Sequence, residues 1–319
     1  MTAPDSTAPL PAFAQNLRGR LKADAPLGPR CWFRTGGSAD WLFVPEDQDD
    51  LATLLRNLPD TTPLTLLGAC SNVIVRDGGL EGVVVKLARG FADVIVEQDG
   101  VIAGAAALDI TVAEHAASAS LDGLAFLSGI PGSIGGAVRM NAGAYGSDIA
   151  TVLDWAEIMR PDGTVQRLTA ADLAFAYRYA ALPERSVVLR ARLRATPGDS
   201  AHIRQRMDEI KASREASQPV RARTGGSTFR NPDGHKAWAL IDEAGCRGLI
   251  QGGAQMSEKH CNFMLNLGTA TSTDLETLGE TVRQRVLAHS GVDLHWEIKR
   301  IGRHTNARQD SAAQEGQTS

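Results

Sequence analysis

The sequence predicts an α+β protein built from two domains. At 319 residues the chain is longer than most single hydrophobic cores sustain, at roughly 150 residues per domain. Short β-type apolar runs, broken by Gly and Asp, alternate with a few well-marked helical stretches. A Pro-Gly-Asp stretch, Pro197 to Asp199, stands where the pattern turns from strand to helix.

Taken in order, residues 1–20, rich in Ala and Pro, lack periodicity and are expected to be disordered. The runs LTLLG (Leu64–Gly68), NVIV (Asn72–Val75) and GVVVKL (Gly82–Leu87) read as strands, as do Val94–Val96, Trp155–Met159 and Val187–Leu193. Thr111 with Glu114 spells a T-x-x-E capping box and opens a helix to Ala119; Thr273 with Glu276 spells another, opening a helix to Gly291. A third helix spans Ser200–Ser217, with Ile203, Met207 and Ile210 on one stripe, and stops before Pro219. The tail 303–319 is expected to be disordered.

Composition excludes several function classes. With 43% hydrophobic and 22% charged residues and a net charge of -4, the chain belongs with ordinary soluble proteins and lacks the basic footprint of a nucleic-acid binder. No uncharged apolar stretch reaches the ~18 residues of a membrane span, and the first residues lack a basic leader pattern, so a cytoplasmic location is expected. Cys31, Cys70, Cys246 and Cys261 never form a C-x-x-C pair, which leaves reduced thiols rather than zinc or a disulfide framework. The seven histidines show no metal-ligand spacing, and neither a G-x-S-x-G elbow nor a P-loop is present. No metal is expected.

Glycine is the outlier. Seven glycines fall between Gly123 and Gly146, and the segment Gly123–Val138 (GLAFLSGIPGSIGGAV) carries no charge, so it should be mostly buried. In GIPGSIGGAV, Gly129, Gly132 and Gly135 recur at every third position, which lets backbone N–H groups approach a pyrophosphate or a flat ring closely. Tight turns of a buried β-domain would account for such a loop equally well. A second turn, LGACSNVIVRD, offers Gly68, Ser71 and Asn72 after an apolar strand and supplies small polar donors of phosphate-binding type.

The string GLAFLSGIPGSIGGAVRMNAGAYG, with GACSNVIVRDGG upstream and GGSTFRNP downstream, closely resembles the UDP-N-acetylenolpyruvoylglucosamine reductases of bacterial peptidoglycan synthesis. The resemblance runs in order from about Leu27 to Gly302. It implies an FAD-binding domain of the vanillyl-alcohol-oxidase kind, made of two α+β subdomains (21–198), followed by an α+β substrate-binding domain (199–302). It further implies non-covalent FAD, NADPH as co-substrate, and a UDP-sugar enolpyruvate reduced to UDP-N-acetylmuramate. Gly68, Ser71, Asn72, Pro131, Gly132, Ser133, Gly135, Gly136, Asn141, Ala142 and Gly143 would then surround the flavin nucleotide. The chain looks like the shorter subtype, which lacks a tyrosine-bearing insertion.

Reduction of the enolpyruvyl group needs hydride delivery, charge stabilisation at the carboxylate and protonation of the neighbouring carbon. By resemblance, Ser227 of GGSTF supplies the proton, Arg178 of AYRYA binds the carboxylate, and Glu297 of HWEIKRIG stands beside it. Arg214, Asn231, Lys259, His260 and Asn262 would face the substrate. Taken singly, Ser227 reads as a turn residue, Glu297 as the polar face of a strand, and Arg178 as a cation over a tyrosine ring. Arg214 in the last turn of its helix also complements the helix dipole. Two departures stand out. Cys70 occupies a position the family usually gives to glycine and is tolerable only at negative φ, and Ala180 stands where serine is common. An FAD-linked oxidase or dehydrogenase of a small hydroxy compound is the alternative on the same fold, and a flavin-binding sensor without turnover is the alternative of another class.

Overall fold

The computed structural model describes residues 10–305, which form three packed layers of α+β structure. The first contains β1 (Arg20–Pro26), β2 (Ser38–Val44), α1 (Gln48–Asn57), β3 (Leu64–Leu66), β4 (Val73–Val75) and β5 (Leu80–Val85). Its sheet has the order β1-β2-β5-β3, with β1 antiparallel to β2 and both β2 and β3 parallel to β5. The α1 helix starts where the Asp47 side chain accepts the Asp50 N–H at 3.0 Å. Its Leu51, Leu54 and Leu55 recur at helical spacing and bury against Phe43, Val83 and Val85.

The second layer follows in sequence: β6 (Val94–Glu97), β7 (Gly100–Gly104), α2 (Asp109–Ser118), α3 (Ile134–Met140), β8 (Leu153–Met159), β9 (Val165–Thr169), β10 (Val187–Arg194) and α4 (Ser200–Ser217). The strands make an antiparallel sheet in the order β9-β8-β10-β7-β6. Phe126, Leu127, Ile134 and Val138, from the uncharged glycine-rich segment, are buried in one core with Val112, Ile158, Ala191 and Leu193. An uncharged stretch can fill this position because no side chain in it has to be kept hydrated.

The third layer holds α5 (Ala237–Glu243), β11 (Ile250–Gln251), β12 (Ala254–Met256), β13 (Met264–Asn266) and α6 (Ser272–Ser290). Leu275, Leu278, Val282 and Val286 of α6 pack on Ile241, Met256 and Met264. Gly279 lets the Trp296 ring lie against the helix, since a Cβ there would come within 2.1 Å of the indole. The chain then returns to the first layer: β14 (Lys299–Ile301) runs parallel to β4, with Lys299 opposite Val73 and Ile301 opposite Val75.

Four expectations change. Residues 10–20 are ordered: Ala12–Ala14 form a 3-10 turn, Phe13 packs edge-on to Trp41 at 6.1 Å, and the Arg18 and Gly19 N–H groups donate to Asp50. Arg303 is likewise tied down, 2.8 Å from Asp40, while residues 1–9 and 306–319 lie outside the described residues. The expected break at 198/199 does not separate two cores, because Ile203 of α4 buries against Ala117 and Ala125 of the second layer. Both helices start earlier than the boxes predict. The α2 helix begins at Asp109 with no side-chain cap, and the capping box of α6 is Thr271 with Asp274. Asp77 sets that register from the first layer, accepting the Ser272 and Thr273 N–H groups at 2.9 and 2.8 Å, and Glu276 pairs instead with Arg76 at 3.0 Å.

Candidate active site

The three layers meet around one cleft of about 790 Å³, within the range of small-molecule sites. Its wall contains Gly68, Ser71 and Asn72 from the turn before β4, and Pro131, Gly132, Ser133 and Gly136 from the loop into α3. Ala142, Gly143, Arg178, Arg214, Ser227 and Glu297 complete it. Residues far apart in sequence therefore share one wall.

The two glycine loops touch. A Cβ on Gly68 would stand 3.0 Å from Ser133 Oγ, and one on Gly132 would come within 2.6 Å of Asp109 Oδ2. A Cβ on Gly136 would meet nothing within 4 Å, so bare backbone faces the cavity. This is a cradle that side chains would fill, and its chemistry of small donors and backbone suits a nucleotide pyrophosphate. Gly135 serves another purpose: its N–H donates to Ala105 O at 2.9 Å, and its Cα lies against Ala105.

Cys70 departs from the expected backbone. Its φ is +54°, in the left-handed region, so the cysteine stands where glycine would be unstrained. The strained turn is held from several sides. Cys70 O accepts the Trp32 N–H at 3.2 Å, Lys86 Nζ donates to Gly68 O at 2.6 Å, and the buried thiol faces that of Cys31. Hydrogen bonding between the two thiols, with Lys86 nearby, holds Cys70 below the usual thiol range and pushes Cys31 up.

In the same lining, Arg178 Nε donates to Glu297 Oε1 at 2.8 Å, with only 23% and 13% of the two side chains exposed. Arg178 itself sits at φ +55°, and its guanidinium lies 5.0 Å from the centre of the Tyr177 ring. Burial first, and Glu297 second, push the Tyr177 hydroxyl above its usual range. Glu297 is placed by two neighbours: its N–H donates to Thr228 O at 2.8 Å, and its carbonyl accepts from Asn72 Nδ2 at 3.3 Å. The segment bearing Ser227 and the turn bearing Ser71 thus hold Glu297 between them. Gly226, at φ +81° and with free space where its Cβ would be, turns the chain into Ser227.

Arg214, in the last turn of α4, lies in the same wall, where burial lowers its guanidinium below the usual value and Gln218 Oε1, at 3.4 Å, meets its Nε. Other sequence-derived residues turn out to hold backbone. Buried Asn141, at the end of α3 with φ +40°, accepts the Ala150 N–H at 2.9 Å and donates to Ala176 O at 3.2 Å, which steadies the Arg178 loop. Asn262 accepts the Phe229 N–H at 3.0 Å and donates to Phe229 O at 2.9 Å, fixing the segment after Ser227. Asn231 caps α5 through the Ala237 N–H at 3.0 Å. His260 packs on Phe263 with ring centres 4.7 Å apart, and burial lowers its imidazole below the usual range. Lys259 bonds Glu215 O and lines a second hollow of about 590 Å³, which shares Gln218, Pro219 and Val220 with the main cleft. Asp109 and Arg185 also line the main cleft, although neither belongs to a motif.

The family described as "FAD binding domain" matches residues 39–169, and that described as "UDP-N-acetylenolpyruvoylglucosamine reductase, C-terminal domain" matches residues 218–301. The UDP-N-acetylenolpyruvoylglucosamine reductase of Gluconobacter oxydans is 71% identical over 295 residues, covering 92% of this chain and 96% of the relative. The chain belongs to the UDP-N-acetylenolpyruvoylglucosamine reductase family. The enzyme of the same name from Acidiphilium cryptum is 64% identical over 91% of this chain and 94% of its own. The crystal structure of the Thermus caldophilus reductase superposes with a TM-score of 0.76 at 34% identity, covering 89% of this chain and 99% of that one. Membership makes the chain an FAD-dependent oxidoreductase of peptidoglycan precursor synthesis, with NADPH as reductant. The cradle between the two loops fits that cofactor. Among the described residues, no helix is long and apolar enough to cross a membrane and no cluster of three or more His, Cys, Asp or Glu could hold a metal ion.

Proposed function

We propose that the main cleft takes FAD against the two glycine loops and receives, in turn, NADPH and UDP-N-acetylglucosamine enolpyruvate at the wall formed by Ser227, Arg178 and Glu297. The observation that carries this reading is the Arg178–Glu297 ion pair, which shares one wall with Ser227 and opens onto the same cavity as both loops. Bound FAD supplies the hydride chemistry. Arg178 binds the substrate carboxylate and stabilises the charge that develops on it, Glu297 holds the guanidinium in register, and Ser227 delivers a proton to the neighbouring carbon. Arg214, which has no acidic partner among the described residues, faces the anionic part of the substrate, and Lys259 with Arg221 in the adjoining hollow extends that surface.

The FAD-binding part extends on this reading from about residue 21 to about residue 217, since α4 packs with the second layer. The four free thiols and the use of NADPH favour the cytoplasm as its compartment. Anaerobic spectroscopy tests the whole reading. NADPH should bleach the bound flavin, and the enolpyruvyl UDP-sugar alone should restore its colour. Bleaching of the oxidised flavin by an added alcohol or hydroxy acid, in place of NADPH, would replace this reading with that of an oxidase or dehydrogenase.

A further inference from the structure

Asp109 is a buried acid with no partner among the described residues. It is the first residue of α2 and has 0% of its surface exposed, and neither carboxyl oxygen makes a hydrogen bond. The fold satisfies its other buried carboxylates. Asp50, 1% exposed, accepts from the N–H groups of Arg18, Gly19 and Glu46, and Glu157, 9% exposed, takes Arg167 and Arg190. An unpaired buried carboxyl weakens a fold, so a residue kept in that state calls for a ligand or a chemical role.

Its position supplies one. The Asp109 N–H donates to Gly132 O at 3.2 Å, and Leu108 bridges to Ser133, so the start of α2 is laced to the loop that lines the cleft. Asp109 Oδ2 lies under Gly132, and the residue borders the same cavity as Pro131, Gly132 and Ser133. The loop packed on it, Ile130–Ser133, carries no titratable side chain. Further along its own helix stand Glu114 and His115, and the cleft wall adds Arg139 of α3 and Arg185; none of these bonds the carboxyl. Burial alone pushes its acid up to about 8, despite the helix N-terminus that would favour the anion. A neutral acid carries an O–H in search of an acceptor. A flavin nucleotide, rich in phosphate and hydroxyl oxygens, brings one and would repel the ionised form.

We propose that Asp109 is a cofactor-binding residue, a neutral carboxylic acid that donates its O–H to an oxygen of the FAD held against the Ile130–Ser133 loop. This rests on placing FAD in the cleft, and the experiment separates the two claims. Apoprotein of the wild type, Asp109→Asn and Asp109→Leu is titrated with FAD by fluorescence at several pH values, with thermal melts of each apoprotein. Wild-type affinity should be level near neutral pH and fall by up to roughly tenfold per pH unit above the carboxyl's own titration. Asp109→Asn, which keeps an N–H donor, should bind within about threefold of the wild type at neutral pH and lose the alkaline decline. Asp109→Leu should bind at least ~10-fold more weakly while its apoprotein melts no lower than the wild type. Equal FAD affinity in wild type and Asp109→Leu, or the same alkaline decline in Asp109→Asn, would overturn the proposal while leaving FAD in the cleft. A wild-type apoprotein that takes up no FAD would overturn the cleft assignment itself.

Discussion

Arg178 and Glu297 meet at 2.8 Å across 119 positions of sequence, and both side chains open onto the cleft that Ser227 lines. The pair is shielded enough for each charge to need the other, yet open enough for a substrate carboxylate to reach the guanidinium. Arg178→Lys and Glu297→Gln should each slow reoxidation of reduced flavin by the enolpyruvyl sugar at least ~10²-fold, because lysine lacks the planar fork and the amide lacks the charge. The double variant should lose less than the product of the two, since the residues act as one unit. Rapid-reaction rates on the three variants check this, and wild-type-like reoxidation in either single variant removes that residue's role.

Ser227 allows the two half-reactions to be separated. Ser227→Ala should leave flavin reduction by NADPH close to normal and slow reoxidation by roughly 10²–10⁴-fold, the range for a lost proton donor. Stopped-flow traces in which both halves slow equally would point instead to damage at the turn after Gly226.

Cys70 tests the cost of a side chain in the left-handed region. Cys70→Gly should raise stability by roughly 0.5–1 kcal/mol through relief of strain, partly offset by the larger entropy of an unfolded glycine. Cys70→Val should lower it, since a β-branched residue tolerates positive φ worst. Chemical denaturation of the apoproteins reads both, and a destabilised glycine variant would show that the Cys31 contact outweighs the strain.

The pH dependence of the apoprotein follows from Asp109. Its acid is raised in the folded state to about 8, above the value of ~4 for an unfolded aspartate, so the folded chain binds the extra proton between those limits. The contribution is therefore fully present at low pH and is lost as pH rises through about 8. Relative to Asp109→Asn, wild-type apoprotein should lose stability steadily across that window and change little beyond it. Melting curves of the two proteins over the window provide the check, and parallel curves would contradict the burial of an unpaired acid.

Much of the architecture was legible because it depends on local pattern. The apolar runs at Leu64–Leu66, Val73–Val75 and Val187–Arg194 are strands, and Ser200–Ser217 is a helix with Ile203 and Ile210 buried. The motif strings also marked the two glycine loops, Ser227, Arg178 and Glu297, because a chain that must approach a ligand closely leaves a run of small residues behind. Local spelling failed where distant groups compete for the same backbone. Thr273 and Glu276 form as good a box on paper as Thr271 and Asp274, and it is Asp77, from another layer, that decides between them. Asn141, Asn231 and Asn262 read as ligand-facing amides, but Asn141 and Asn262 hold the segments that carry Arg178 and Ser227, and Asn231 holds the start of α5. Asp109 was invisible, since one aspartate at the head of a helix is ordinary until its burial and its lack of partners are known. Sequence by itself determined the family and the cofactor. Tertiary structure alone decided which polar groups face the cleft and which are consumed by backbone, because hydrogen-bond satisfaction depends on neighbours that the chain brings together only on folding.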